Sequence, residues 1–156
     1  MRDPVTGAIK RGHAHQLLVE EVRRSRRYNH SLSLLITDVD EWDAVLQERG
    51  PQGATEVLAL LGGTMAKLVR TEDRVAHYGD SRFAIILPET PLAGARVVAE
   101  RMCQKIAEEA KLTLRVGIAE FPTDATSSEE LVSEAEAALQ FARTAALRIV
   151  DRRVIT

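Results

Sequence analysis

The chain has a single cysteine in 156 residues, Cys103, so no internal disulfide can form and a reducing compartment suits it. Cys103 lies in a helical stretch and reads as a small buried hydrophobe. No apolar run is long enough to span a bilayer, and no signal peptide opens the chain. An excess of charge is missing as well: a formal net charge of −2 creates no field to gather DNA or an anionic membrane. Internal repeats and low-complexity segments are absent, which sets aside repeat architectures and disordered tails. What remains is ordinary globular composition, 45% apolar and 28% charged, at the size of one core-burying domain. The expectation is a single cytoplasmic domain over residues 1–156, with no nucleic-acid polymer and no membrane insertion among its partners.

Asp3-Pro4-Val5-Thr6-Gly7 reads as an entry turn. From about residue 12 to 29 the pattern is helical, with Leu17, Leu18, Val19 and Val22 on one stripe. Arg23, Arg24, Arg26 and Arg27 make a basic stripe that reads as a solvated face. Leu32 to Val39 is a continuous apolar run suited to a strand buried on both faces. Two helices follow, at about 41–48 and 51–69, with Pro51 in the first turn of the second, where its missing N–H costs nothing. Arg74–Tyr78 and Phe83–Leu87 flank a polar tip and read as a β-hairpin.

A helix at about 91–110, a strand at Leu112–Ala119 and a helix at about 127–145 come next. Ser127 or Ser128 is the capping candidate for that last helix, ahead of Glu129 and Glu130. The tail from Leu147 to Ile155 adds a final strand. The fold class is α/β: a mixed, mostly antiparallel sheet of about five strands flanked by helices.

In this order the segments resemble the GGDEF domain of diguanylate cyclases along nearly the whole chain. Asp3-Pro4-Val5-Thr6-Gly7 is similar to the family's D-x-L-T-G entry, and Asp38-Val39-Asp40 to its D-x-D. Val75-Ala76-His77-Tyr78-Gly79 and Phe83-Ala84-Ile85-Ile86-Leu87-Pro88 flank the hairpin in the family manner. Ala99-Glu100-Arg101, Val116-Gly117-Ile118-Ala119 and Ala138-Leu139-x-x-Ala142-Arg143 follow in order. The resemblance implies a nucleotide-cyclase-like fold. It also implies, for active members, two domains meeting face to face, each with one GTP, to form cyclic di-GMP with magnesium.

The same resemblance shows what this sequence has replaced. The signature Gly-Gly-Asp-Glu-Phe is represented by Gly79-Asp80-Ser81-Arg82-Phe83. The metal-binding carboxylate falls on Ser81, the next acid becomes Arg82, and the second glycine becomes Asp80. Asp38 alone survives as a residual metal position, one carboxylate where hard cations need several oxygen ligands. The guanine-reading Asn and Asp fall on Leu46 and Thr55, and a phosphate-contacting Lys on Asp43. A later Lys is replaced by Arg143, which keeps a cation for phosphate, and the Arg after it by Leu147. Together these changes remove metal, base and phosphate recognition, so no catalytic residues, no requirement for magnesium and no cyclase activity are expected.

A second site that the family uses for inhibition by cyclic di-GMP is matched by Arg70-Thr71-Glu72-Asp73, five residues before the signature, with Arg101 on the next helix. A guanidinium fork suits phosphate oxygens and the Hoogsteen edge of guanine, and a carboxylate accepts from guanine N1–H and N2–H. The plainer reading is that Arg70 sits at a helix end and pairs with Asp73. Three functions follow: a non-catalytic cyclic di-GMP receptor through Arg70, Asp73 and Arg101; a ligand-free module for homodimerisation or relay to another signalling domain; or a diverged active cyclase. The first is expected. The chain is also expected to follow a sensory or receiver domain in a longer signalling protein.

Overall fold

The computed structural model describes residues 2–155, leaving aside the side chain of residue 155. Its elements are β1 (Ile9–Lys10), α1 (Arg11–Tyr28), β2 (Leu32–Val39), α2 (Trp42–Leu68), β3 (Arg74–Gly79), β4 (Arg82–Pro88), α3 (Leu92–Ala110), β5 (Leu114–Phe121), α4 (Ser128–Ala145) and β6 (Ile149–Asp151), followed by a 3₁₀ turn at Arg152–Ile155. The sheet has six strands in the order β1-β3-β4-β2-β5-β6. The four central strands pair antiparallel, while β1 pairs parallel to β3 and β6 parallel to β5 at the two edges.

β2 is central, and all eight of its residues are buried. Alternate side chains of a strand point to opposite faces, and the two cores divide on that rule. Leu35, Val39, Phe83, Ile85, Val116 and Ile118 face Val57, Leu61 and Met65 of α2 and Ala99, Met102 and Ile106 of α3. Leu34, Ile36, Ala84, Ile86, Ala119 and Phe121 face Ala14, Leu18 and Val22 of α1 and Leu131, Ala135 and Leu139 of α4. Each large side chain removed from water in this way contributes roughly 1.5–3 kcal/mol before entropy is subtracted.

Several local signals hold. Ser127 caps α4 by accepting from the amide of Glu130. The two helices expected across residues 41–69 are present as the two halves of α2, separated at Gly50, whose φ of 73° and ψ of 177° are non-helical, with Pro51 opening the second half. Gly117 is required by packing: a Cβ there would lie 2.3 Å from both Ala135 O and Leu139 N, so β5 touches the backbone of α4.

Two expectations are corrected. The sheet has six strands rather than about five, because two-residue β1 pairs with β3 through Ile9 and Lys10; it is too short to show periodicity. The fifth strand runs from Leu114 to Phe121 rather than from Leu112 to Ala119. Lys111 caps α3 in the left-handed conformation, and the chain needs the next two residues to turn into the sheet.

Candidate functional site

The C-terminal end of β2, the β3–β4 turn and the start of α2 converge on a cavity of about 560 Å³. Asp38, Trp42, Asp43, Tyr78, Arg82 and Arg143 are among its lining residues. Both residues of the signature turn have positive φ, Gly79 at 138° and Asp80 at 46°. Aspartate is among the few non-glycine residues that enter the left-handed region at modest cost, so the turn accommodates it at Asp80. The Asp80 carbonyl accepts from His77 Nε2 at 2.8 Å, and His77 Nδ1 lies 2.7 Å from Asp3 Oδ2, which ties the entry turn to the signature turn.

Asp38 is buried at 7% exposure, and its carboxylate is already occupied. The hydroxyl of fully buried Ser81 donates to Oδ1 and accepts from the Val39 amide at 3.1 Å. The guanidinium of Arg143 lies on Oδ2, and Arg82 Nε is 3.7 Å from the same oxygen. The one retained carboxylate therefore faces two cations and a hydroxyl. A divalent cation needs several oxygen donors and little positive charge beside them, and this donor set does not fit one.

The base-reading positions are also dispersed. Leu46 is 39% exposed and does not line this cavity. Thr55 donates its hydroxyl back to Pro51 O at 3.0 Å, within its own helix. Asp43 lies in the first turn of α2 and lines the cavity as an acid. Leu147 is exposed and lines a separate cavity with Arg148. Arg11, Arg115 and Glu136 line the signature cavity without having been singled out in the sequence. Arg115 belongs to β5 and reaches Asp40 at 2.9 Å, a pairing that only the β2–β5 register reveals.

Arg70 and Asp73 are brought together just after α2. Asp73 Oδ2 accepts from the backbone N–H of Arg70 at 2.8 Å and from its Nε at 3.3 Å, and Oδ1 accepts from Nη2 at 3.1 Å. Nη2 also donates to Pro88 O and Thr90 Oγ1, each at 2.8 Å. The hydrogen bonds to Asp73 outweigh desolvation and hold the Arg70 pKa above its ordinary value. The Asp73 side chain is 2% exposed, whereas that of Arg70 is 49% exposed, with Nη1 turned outward 3.4 Å from Glu72. Arg101 is exposed on α3 and makes no ion pair or hydrogen bond among the described residues. The structure thus joins two of the three expected ligand residues, and Arg101 is bonded to neither among the described residues.

A family model for the GGDEF domain of diguanylate cyclase matches residues 1–147. Diguanylate cyclase DgcP of Pseudomonas aeruginosa is 29% identical over 153 residues, which cover 93% of this chain and 23% of that protein. The crystal structure of diguanylate cyclase SiaD with its activator SiaC, also from Pseudomonas aeruginosa, aligns with a TM-score of 0.90 at 29% identity over 96% of this chain and 61% of that one. The GGDEF domain of DgcB from Caulobacter crescentus, solved in complex with c-di-GMP, aligns with a TM-score of 0.90 over 97% of this chain and 92% of that one; at 17% identity it shares the fold.

Proposed function

This chain belongs to the diguanylate cyclase GGDEF family, and we propose that it serves cyclic di-GMP signalling in the cytoplasm as a domain that no longer makes the dinucleotide. The observation that carries this reading is the occupancy of Asp38. Ser81, Arg82 and Arg143 surround its carboxylate, so the one carboxylate left to hold magnesium is paired within the protein. Attack of a 3′-hydroxyl on an α-phosphate depends on a metal to neutralise developing charge, and magnesium is not required for the role proposed here. Asp43 adds a negative charge where a triphosphate would lie, and Leu46 offers guanine no hydrogen bond.

The role left to the domain is reception of cyclic di-GMP at Arg70, Asp73 and Arg101. Asp73 sets the plane of the Arg70 guanidinium from beneath, and the outward Nη1 edge meets phosphate or guanine. Arg101 supplies a second, uncommitted cation from α3. A ligand-free role, in homodimerisation or relay to another signalling domain, is favoured by one specific observation: both Asp73 oxygens already accept from Arg70.

Isothermal titration separates the two. Cyclic di-GMP is expected to bind the wild-type chain and to bind Arg70→Ala roughly ten- to a hundredfold more weakly. Equal affinity in the two proteins, or no heat with either, contradicts the receptor and leaves the relay module. GTP with magnesium is expected to give no tight binding; low-micromolar affinity would restore the cyclase reading.

A further inference from the structure

The ring of His77 bridges two segments that lie far apart in the chain. Nδ1 is 2.7 Å from Asp3 Oδ2 in the entry turn, and Nε2 is 2.8 Å from Asp80 O in the signature turn. Both partners can only accept. A backbone carbonyl has no proton to give. Burial opposes ionisation of Asp3, but the Val5 amide and His77 outweigh it and hold the carboxyl pKa below the ordinary 3.8. A neutral imidazole donates from one nitrogen and accepts at the other. Two acceptors are therefore matched only by the imidazolium, which donates from both.

The surroundings suit that cation. The side chains of His77 and Asp3 are 17% and 19% exposed, and the Phe83 ring lies 5.0 Å from the imidazole, within cation–π reach. The charged neighbours are Asp3 in the entry turn, exposed Lys10 opposite His77 in β1, and Asp80 and Arg82 at the signature turn. From α2 this face of the sheet meets apolar Val57, Leu61 and Met65. Among the described residues Asp3 is the one charged side chain that pairs with the ring.

The signature turn depends on this contact. The β3–β4 ladder is irregular between His77 and Gly79, so strand pairing alone does not fix the chain there. Asp80 stands in the left-handed region with φ 46°, and His77 holds its carbonyl. Ser81 and Arg82, next in the chain, carry contacts to Asp38.

We propose that His77 is a proton-operated clasp: as the imidazolium it ties the entry turn to the signature turn, and as the neutral imidazole it keeps Asp3 and releases Asp80. The remaining proton stays on Nδ1, because a carboxylate accepts an N–H more strongly than a carbonyl does. The bare Nε2 lone pair then faces the Asp80 oxygen, and the turn moves away from it. Histidine is the side chain whose charge changes within about pH 5–8, so the ring couples the signature cavity to ambient pH. The clasp lies outside the positions assigned to metal, GTP or cyclic di-GMP and does not rest on any of them being bound.

The test follows the His77 ring nitrogens and the turn amides of the ¹⁵N-labelled chain from about pH 5 to about pH 9. In mild acid both ring nitrogens are expected to carry protons. As the pH rises, the proton is expected to leave Nε2 and stay on Nδ1, and the amide signals of Gly79, Asp80 and Ser81 are expected to move in the same step. His77→Gln removes the titrating ring, and His77→Arg keeps a donor cation at every pH. In each variant the three amides are expected to lose that step, while His13, His15 and His30 titrate as before. Loss of the proton from Nδ1 instead, turn amides that do not follow the ring, or the same step in either variant overturns the proposal. So does a His77 ring that keeps one protonation state across the whole range. Should one variant not fold, the other is held to the same outcomes, and the wild-type titration alone decides whether Nε2 and the turn move together.

Discussion

The guanidinium of Arg143 lies directly on the carboxylate of Asp38. In a metal-dependent cyclase that carboxylate would hold a divalent cation; here it pairs with two arginines and accepts a hydrogen bond from a serine hydroxyl within the protein. In the proposed reading its role is structural. Asp38→Ala is expected to destabilise the fold by about 1–2 kcal/mol, since it leaves Arg82 and Arg143 facing each other unpaired beside a buried hydroxyl. Urea denaturation of the two proteins measures this directly. An unchanged midpoint would mean that the cluster contributes nothing.

The Asp3–His77 contact predicts an acid-sensitive tether. Burial disfavours the Asp3 carboxylate, but the Val5 amide and His77 outweigh it and hold its pKa below the ordinary 3.8. A carboxyl group lowered on folding stabilises fully above its unfolded value, and that stability disappears as pH falls through the lower, folded value. Asp3→Asn is thus expected to cost about 1 kcal/mol at neutral pH and close to nothing well below pH 3.8. Denaturant curves at the two pH values test this; a gap that does not shrink in acid contradicts it.

Gly117→Ala is expected to destabilise by at least about 2 kcal/mol, because the new methyl group would overlap backbone atoms of Ala135 and Leu139 that no rotamer change can move. Thermal unfolding checks it. A variant with wild-type stability would mean that α4 lifts off β5 at little cost.

Cys103 is buried, and desolvation raises its thiol pKa to about 11. A thiol reagent at neutral pH is expected to label it only after denaturation, since the thiolate is the reactive form. Fast labelling of the native chain would show that α3 opens readily.

Much of this molecule was readable from its residues, and the reasons differ by element. β2 is plain because it is buried on both faces, so its composition alone declares it. α4 is plain because Ser127 caps it and two glutamates occupy its first turn. β1 was not readable, since two residues carry no period and the pairing with β3 is decided by tertiary contact. The site divides in the same way. The substitutions Ser81 and Arg82 are visible in sequence, but their convergence on Asp38 requires the β2–β4 pairing. The attachment of Arg70 to Pro88 and Thr90 rests on contacts across about twenty residues that no local pattern encodes.

Cyclisation of GTP is the most direct test of the proposed loss of activity. The chain, incubated with GTP and either magnesium or manganese and analysed by chromatography, is expected to yield no cyclic di-GMP above a protein-free control. Accumulation of cyclic di-GMP in proportion to protein concentration, abolished by Asp38→Ala, would contradict the account and show that Asp38 recruits metal in spite of Arg143.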